Sequence, residues 1–171
     1  MTTEQLRHRM PPILKALKER SLRGRTPVEG LRRTECAYHG WDTVHADAAS
    51  WEPFAPGDAF GGLEAHHCFK GTVTLPEASA GKRVVCLVST GASDIWNNNN
   101  PQFLAYVDGR LVCGLDVNHN EFDLAACAVP GESHELALYV YCNTPARDVF
   151  LRVETAERDD DVTGLYYDLR A

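Results

Sequence analysis

From Trp51 onward the chain is a succession of short apolar runs, each ended by a turn dipeptide, with no helical period between them. The sharpest instance is Phe103–Val107, Asp108-Gly109, Arg110–Leu115. Asp-Gly takes the positive φ angles of a two-residue type I′ turn, so these residues predict a β-hairpin. Pro56-Gly57, Gly61-Gly62, Ala80-Gly81 and Pro130-Gly131 supply further turn signals. Cys68–Leu75 alternates, with Phe69, Val73 and Leu75 on one face and Lys70, Thr72 and Thr74 on the other. Glu135–Cys142 sets Leu136, Leu138 and Val140 against Ala137, Tyr139 and Tyr141, and Asp148–Val153 repeats the pattern with Val149, Leu151 and Val153. Val84–Val88 is apolar on both faces, as in a central buried strand. Short strands without intervening helices predict an all-β fold, a β-sandwich.

The flanks differ. Leu6, Met10, Ile13 or Leu14, and Leu17 recur at helical spacing over residues 3–20, with Thr3 as a cap, while Pro11 and Pro12 predict a kink or a fresh start. Residues 21–50 show no period and read as an extended, loop-rich surface segment. Asp159 to Asp161 and Thr163 are caps for a C-terminal helix carrying Leu165, Tyr166 and Leu169. A helix so short is marginal alone, which predicts a chain that continues. The expected organisation is a helical or irregular leader over 1–50, a sandwich over 51–156, and the start of a linker helix over 157–171.

A chain of 171 residues fits one domain. Its net charge of −7 argues against a general nucleic-acid binder. The basic residues concentrate in 7–33, read as a solvated, mobile arm or a contact for an acidic partner. Nothing approaches the roughly 20 apolar residues that span a bilayer, and the first residues lack a secretion signal. The six cysteines, none spaced as Cys-x-x-Cys, predict a reduced, cytoplasmic protein.

Candidate chemistry clusters in two loops. Asp116, Asn118 and His119 leave the hairpin as a polar group that begins like a calcium loop, but Glu121 stands where that loop needs Gly and Cys127 where it needs Glu. What remains is a weaker cation site of Asp116, Asn118 and Asp123, or a turn held by Asx hydrogen bonds. Trp96-Asn97-Asn98 combines an aromatic platform with amides, which suits a sugar's apolar face and hydroxyls, although such loops also serve as plain connections. His66 and Cys68 share a strand face that His67 cannot, too few donors for zinc. No serine lies in a Gly-x-Ser-x-Gly elbow, no cysteine in a nucleophile signature, and no P-loop or dinucleotide fingerprint occurs.

Trp51-Glu52-Pro53-Phe54, Gly57, Phe60-Gly61-Gly62, Cys68-Phe69 and Val73-x-x-Pro76 together resemble the start of α-mannosidases of glycoside hydrolase family 38. Asn100-Pro101-Gln102-Phe103, Tyr106–Gly109 and Gly114–His119 are similar to that family's N-terminal block, and Gly131-Glu132 and Leu165–Leu169 fit as well. The resemblance covers Trp51 to Arg170; Phe60 and His67 stand where tryptophan is expected, a departure that affects packing. It implies a galactose-binding-like jelly roll with an N-terminal helical leader and a short C-terminal helix. It also implies a parent enzyme of mannose and glycan catabolism whose Asp nucleophile and zinc, or another divalent metal, belong to a catalytic domain outside this chain. No residue here then inherits a catalytic or metal-ligand role. The domain would dock on that catalytic domain, shape its active site or support a homo-oligomer, the parent acting on an α-mannoside. An autonomous carbohydrate-binding module is the alternative.

Overall fold

The computed structural model describes residues 3–90, 101–117 and 119–170, without the side chains of residues 3–7, 144, 146 and 147. Helix α1 (Thr3–Arg20) is followed by strands β1 (Leu22–Pro27) and β2 (Arg32–Glu35), the short helix α2 (Trp41–His45) and strand β3 (Glu52–Pro53). Then come β4 (Ala59–Thr74), β5 (Arg83–Ser89), β6 (Gln102–Val107), β7 (Arg110–Leu115), β8 (Glu121–Ala125), β9 (Ser133–Phe150), β10 (Arg152–Arg158) and helix α3 (Asp160–Arg170). The strands make two sheets, ordered β1-β10-β5-β8 and β3-β2-β4-β9-β6-β7, and every pairing is antiparallel. This is the β-sandwich that the turn-punctuated pattern predicts, with a helix at each end.

The inner faces are the alternating apolar sets. Phe69, Phe103, Leu136, Leu138 and Val140 of the larger sheet meet Val84, Cys86, Val88, Phe122, Leu124 and Val153 of the smaller one in a single buried core. Fully burying each such side chain contributes on the order of 1.5–3 kcal/mol. Phe60 and His67, the positions where tryptophan is expected, are both sealed inside; their rings lie 5.5 Å apart, and Phe60 also packs on Phe54 and Phe69. Smaller side chains there are accommodated by this aromatic cluster. The hairpin forms as read, with φ of 50° at Asp108 and 74° at Gly109.

Five expectations change. Residues 21–50 are extended and mostly exposed, as read, but more ordered than a loop-rich segment: β1 forms the edge of one sheet, and β2 pairs with β4 in the other. The basic segment is not a free arm either. β1 lies along the acidic strand β10, with Arg23 2.8 Å from Asp159 and Arg25 3.6 Å from Glu154, so opposite charges in one chain satisfy each other. Gly61 and Gly62 sit inside β4 where its register against β9 shifts, a bulge and not a turn. Strand β9 runs unbroken through Asn143 and Pro145, joining two runs that the sequence separates. Helix α1 continues through Pro11 and Pro12. Asp159 caps α3, accepting from the Val162 amide at 3.1 Å.

Candidate functional site

Alternation on β4, β9 and β6 dictates what the outer face of the larger sheet displays. His66, Cys68 and Lys70 of β4 stand beside Tyr141, Tyr139 and Ala137 of β9, their register partners, and Leu104 and Tyr106 of β6 follow. Half of this face is covered. Val44 of α2 and Trp51 pack on Cys68, Tyr106, Ala137 and Tyr139, and Lys70, buried there, donates to the Ala46 carbonyl at 2.7 Å and pairs with Glu135 at 3.1 Å.

Where that cover stops, an open cleft of about 760 Å³ remains, bordered by Tyr38, His39, Glu64, His66, Gln102, Leu104, Gly114, Asp116, Tyr139 and Tyr141. Its size is that of a small-molecule site. The buried Tyr139 hydroxyl is its organising group: it accepts from the His39 amide at 3.2 Å and lies 2.7 Å from His66 Nδ1. His66 stacks nearly parallel to the Tyr139 ring, and lies 5.3 Å from the Tyr141 ring and 5.6 Å from that of Tyr38. The Tyr141 hydroxyl donates to Glu64 Oε1 at 2.7 Å.

Backbone conformation builds two of these contacts. Gly40 has φ 50° and ends the segment carrying Tyr38 and His39; a Cβ there would meet the Tyr139 ring at 2.5 Å, so only glycine lets the segment close against β9. Glu64 has φ 53° in the bulge between Gly62 and Ala65. A non-glycine residue in that region costs about 1–2 kcal/mol, and the bulge aims the carboxylate at the cleft rim.

Both phenols lie above the usual tyrosine range. Burial is the first cause for Tyr139, and the hydrogen bond to Glu64 for Tyr141, so both remain neutral donors at physiological pH. The cleft carries the carboxylates of Glu64 and Asp116, and neither lysine nor arginine among its described lining.

Of the residues singled out in the sequence, the structure brings His66 and, from the hairpin exit, Asp116 to the cleft. Its carboxylate accepts from the His119 amide at 2.8 Å, the Asx turn weighed against a cation site. The His119 ring is exposed, 3.4 Å from that carboxylate. Asp123, the third candidate donor, is instead taken up by Arg83 on the other sheet. Trp96, Asn97, Asn98 and Asn118 lie outside the described residues. No three His, Cys, Asp or Glu side chains gather to hold a metal ion among the described residues. No described helix is long and apolar enough to cross a membrane. The sequence reading missed Tyr38, His39, Glu64, His66, Tyr139 and Tyr141 as a group. The available signal was the pair of tyrosines two residues apart on the outer face of a central strand.

No family model and no curated protein matches the sequence. Solved structures do match in fold. A β-glucuronidase of Bacteroides uniformis is 11% identical with a TM-score of 0.55, covering 78% of this chain and 18% of that one. The Faecalibacterium prausnitzii β-glucuronidase is 13% identical with a TM-score of 0.51, over 80% of this chain and 32% of its own. A Ruminococcus gnavus β-glucuronidase bound to uronic isofagomine reaches a TM-score of 0.57 at 9% identity, over 80% of this chain and 28% of its own. The likeness is one of fold. The chain spans less than a third of the length of each of these enzymes.

Proposed function

We propose that the chain is a non-catalytic, carbohydrate-binding sandwich domain of a glycoside hydrolase, with its ligand in the Tyr38–Tyr141 cleft. One observation carries this reading: the rings of Tyr38, His66, Tyr139 and Tyr141 adjoin one another at the cleft that Glu64 and Asp116 also line. Aromatic faces cover the apolar C–H face of a sugar, and carboxylates accept from its hydroxyls. The acidic lining sets the class of sugar. Like charge disfavours a uronate, so the ligand is a neutral hexose unit. Both carboxylates are engaged in hydrogen bonds within the chain, which suits binding better than acid–base work.

The sandwiches of β-glucuronidases, each a minor part of a longer chain, support placing this domain beside a catalytic one. For the parent activity we favour hydrolysis of α-mannosides, on the Trp51–Phe54 and Asn100–His119 resemblance, with the metal and nucleophile in the catalytic domain. Six free thiols fit a reducing, cytoplasmic setting. A second reading, a docking domain with no sugar site, is favoured by Leu165, Tyr167 and Leu169, which α3 leaves exposed.

Calorimetric titration separates the two readings. Saturable heat with mannose or mannobiose and none with glucuronate is expected of the cleft; no heat with any sugar would leave docking. Turnover of an aryl α-mannoside by this chain with zinc present would overturn the non-catalytic assignment.

A further inference from the structure

Beside the cleft, the sulfurs of Cys36 and Cys68 lie 3.5 Å apart. Cys68 is fully buried in β4, between Thr34 of β2 and Tyr139 of β9. Cys36 comes directly after the last residue of β2 and is half-buried, its amide bonded to the His66 carbonyl at 3.0 Å. It begins the segment that carries Tyr38 and His39. Neither thiol belongs to the inter-sheet core, where Cys86 and Cys142 are packed as buried apolar groups.

We propose that Cys36 and Cys68 form an oxidisable pair, closed to a disulfide by a hydroperoxide and reopened by an external thiol. The Cys68 thiol donates its hydrogen bond to Cys36, which pulls the Cys36 thiol below its usual range and pushes the Cys68 thiol above it. Cys36, the more exposed and more acidic thiol, is therefore the attacking nucleophile. Its thiolate attacks a peroxide oxygen and the O–O bond breaks. The alkoxide or hydroxide released takes a proton from water, leaving Cys36 as a sulfenic acid. The Cys68 sulfur then attacks the Cys36 sulfur; the S–S bond forms, the S–O bond breaks, and the departing hydroxide takes the Cys68 proton as water. Two thiols and one hydroperoxide become a disulfide, an alcohol (or water) and a water molecule.

The sulfurs must close from 3.5 Å to the roughly 2.0 Å of a disulfide. Cys68 is held by strand pairing on both sides, so Cys36, beyond the end of β2, makes the move. The bond would staple the Tyr38–His39 wall of the cleft to β4.

The test needs no sugar, so its outcome leaves the carbohydrate reading untouched. The intact chain is exposed to a modest excess of hydrogen peroxide under native conditions, alkylated, digested and mapped by mass spectrometry. The expected result is a Cys36–Cys68 linked peptide that dithiothreitol removes, with loss of alkylation at those two positions and retention at Cys127. In Cys68→Ser the sulfenic acid at Cys36 should be stranded and trapped by dimedone. Should that variant fail to fold, the map of the unaltered chain decides alone. Oxidation of Cys36 to a sulfinic acid without the link, or linkage through Cys127, would overturn the proposal.

Discussion

Replacing Asp108 tests whether the hairpin turn is tied to the sheet as the structure describes. Asp108 holds φ 50° and accepts twice, from the Glu135 amide at 2.9 Å and from His134 Nδ1 at 2.8 Å. Hydrogen bonds to a charged acceptor contribute about 1.5–3 kcal/mol when well shielded. Here the side chain is 53% exposed, and water replaces much of what is lost, so the two together are worth about 1 kcal/mol. Alanine at this φ adds about 1 kcal/mol of strain that aspartate carries more easily. Asp108→Ala should therefore cost about 2 kcal/mol in urea unfolding, a fall in Tm of about 4–8 °C for a chain of this size. Asp108→Asn keeps the turn and an acceptor for the Glu135 amide, and should cost about half as much. Because the His134 hydrogen bond holds the Asp108 carboxyl below its usual range, its contribution is present above the unfolded aspartate value of about 4. That contribution is lost as pH falls through the lowered folded value. The gap between the unaltered chain and Asp108→Asn should accordingly close in acid. An alanine variant within about 0.5 kcal/mol of the unaltered chain, or a gap that widens in acid, would show that Asp108 does not tie the turn to the sheet.

Two further perturbations address the cleft wall and the C-terminal helix. Gly40→Ala places a methyl 2.5 Å from the Tyr139 ring at φ 50°, and should destabilise by about 2 kcal/mol. It should also speed hydrogen exchange at the His39 amide, which an unchanged rate would contradict. Asp159→Ala removes the α3 cap and an exposed ion pair with Arg23. The cost should be about 1 kcal/mol, nearly all from the cap, with lower helical ellipticity by circular dichroism; unaltered ellipticity and stability would contradict the capping role.

What the sequence made legible is what local physics determines. Alternation identified both faces of β9 and the buried character of Val84–Val88, and Asp-Gly identified the hairpin. Strand β8 was overlooked because Glu121–Ala125 directly follows a polar turn, though Phe122 and Leu124 alternate with Asp123 and are buried. Strands β1 and β2 carry arginines and little apolar periodicity: β1 gains its edge place from backbone pairing with the acidic strand β10, and β2 its place from backbone pairing with β3 and β4. Gly61-Gly62 is a turn signal in sequence and a bulge in the sheet, a choice that only the long β4–β9 pairing makes. The cleft was invisible for the same reason: Tyr38 and His39 reach Tyr139 across 100 residues of chain. Of the loop residues read as candidates, Asp116 joins it, through the register of β7 against β6.

A chemical-shift map of the labelled chain titrated with mannobiose decides whether this cleft binds a neutral sugar. Saturable shifts should cluster on His39, His66, Tyr139 and Tyr141, with affinity weakened about tenfold in Tyr141→Ala, the loss of one ring face and one hydrogen bond, together about 1.4 kcal/mol. Shifts confined to another surface, or none at millimolar sugar, would contradict binding in this cleft.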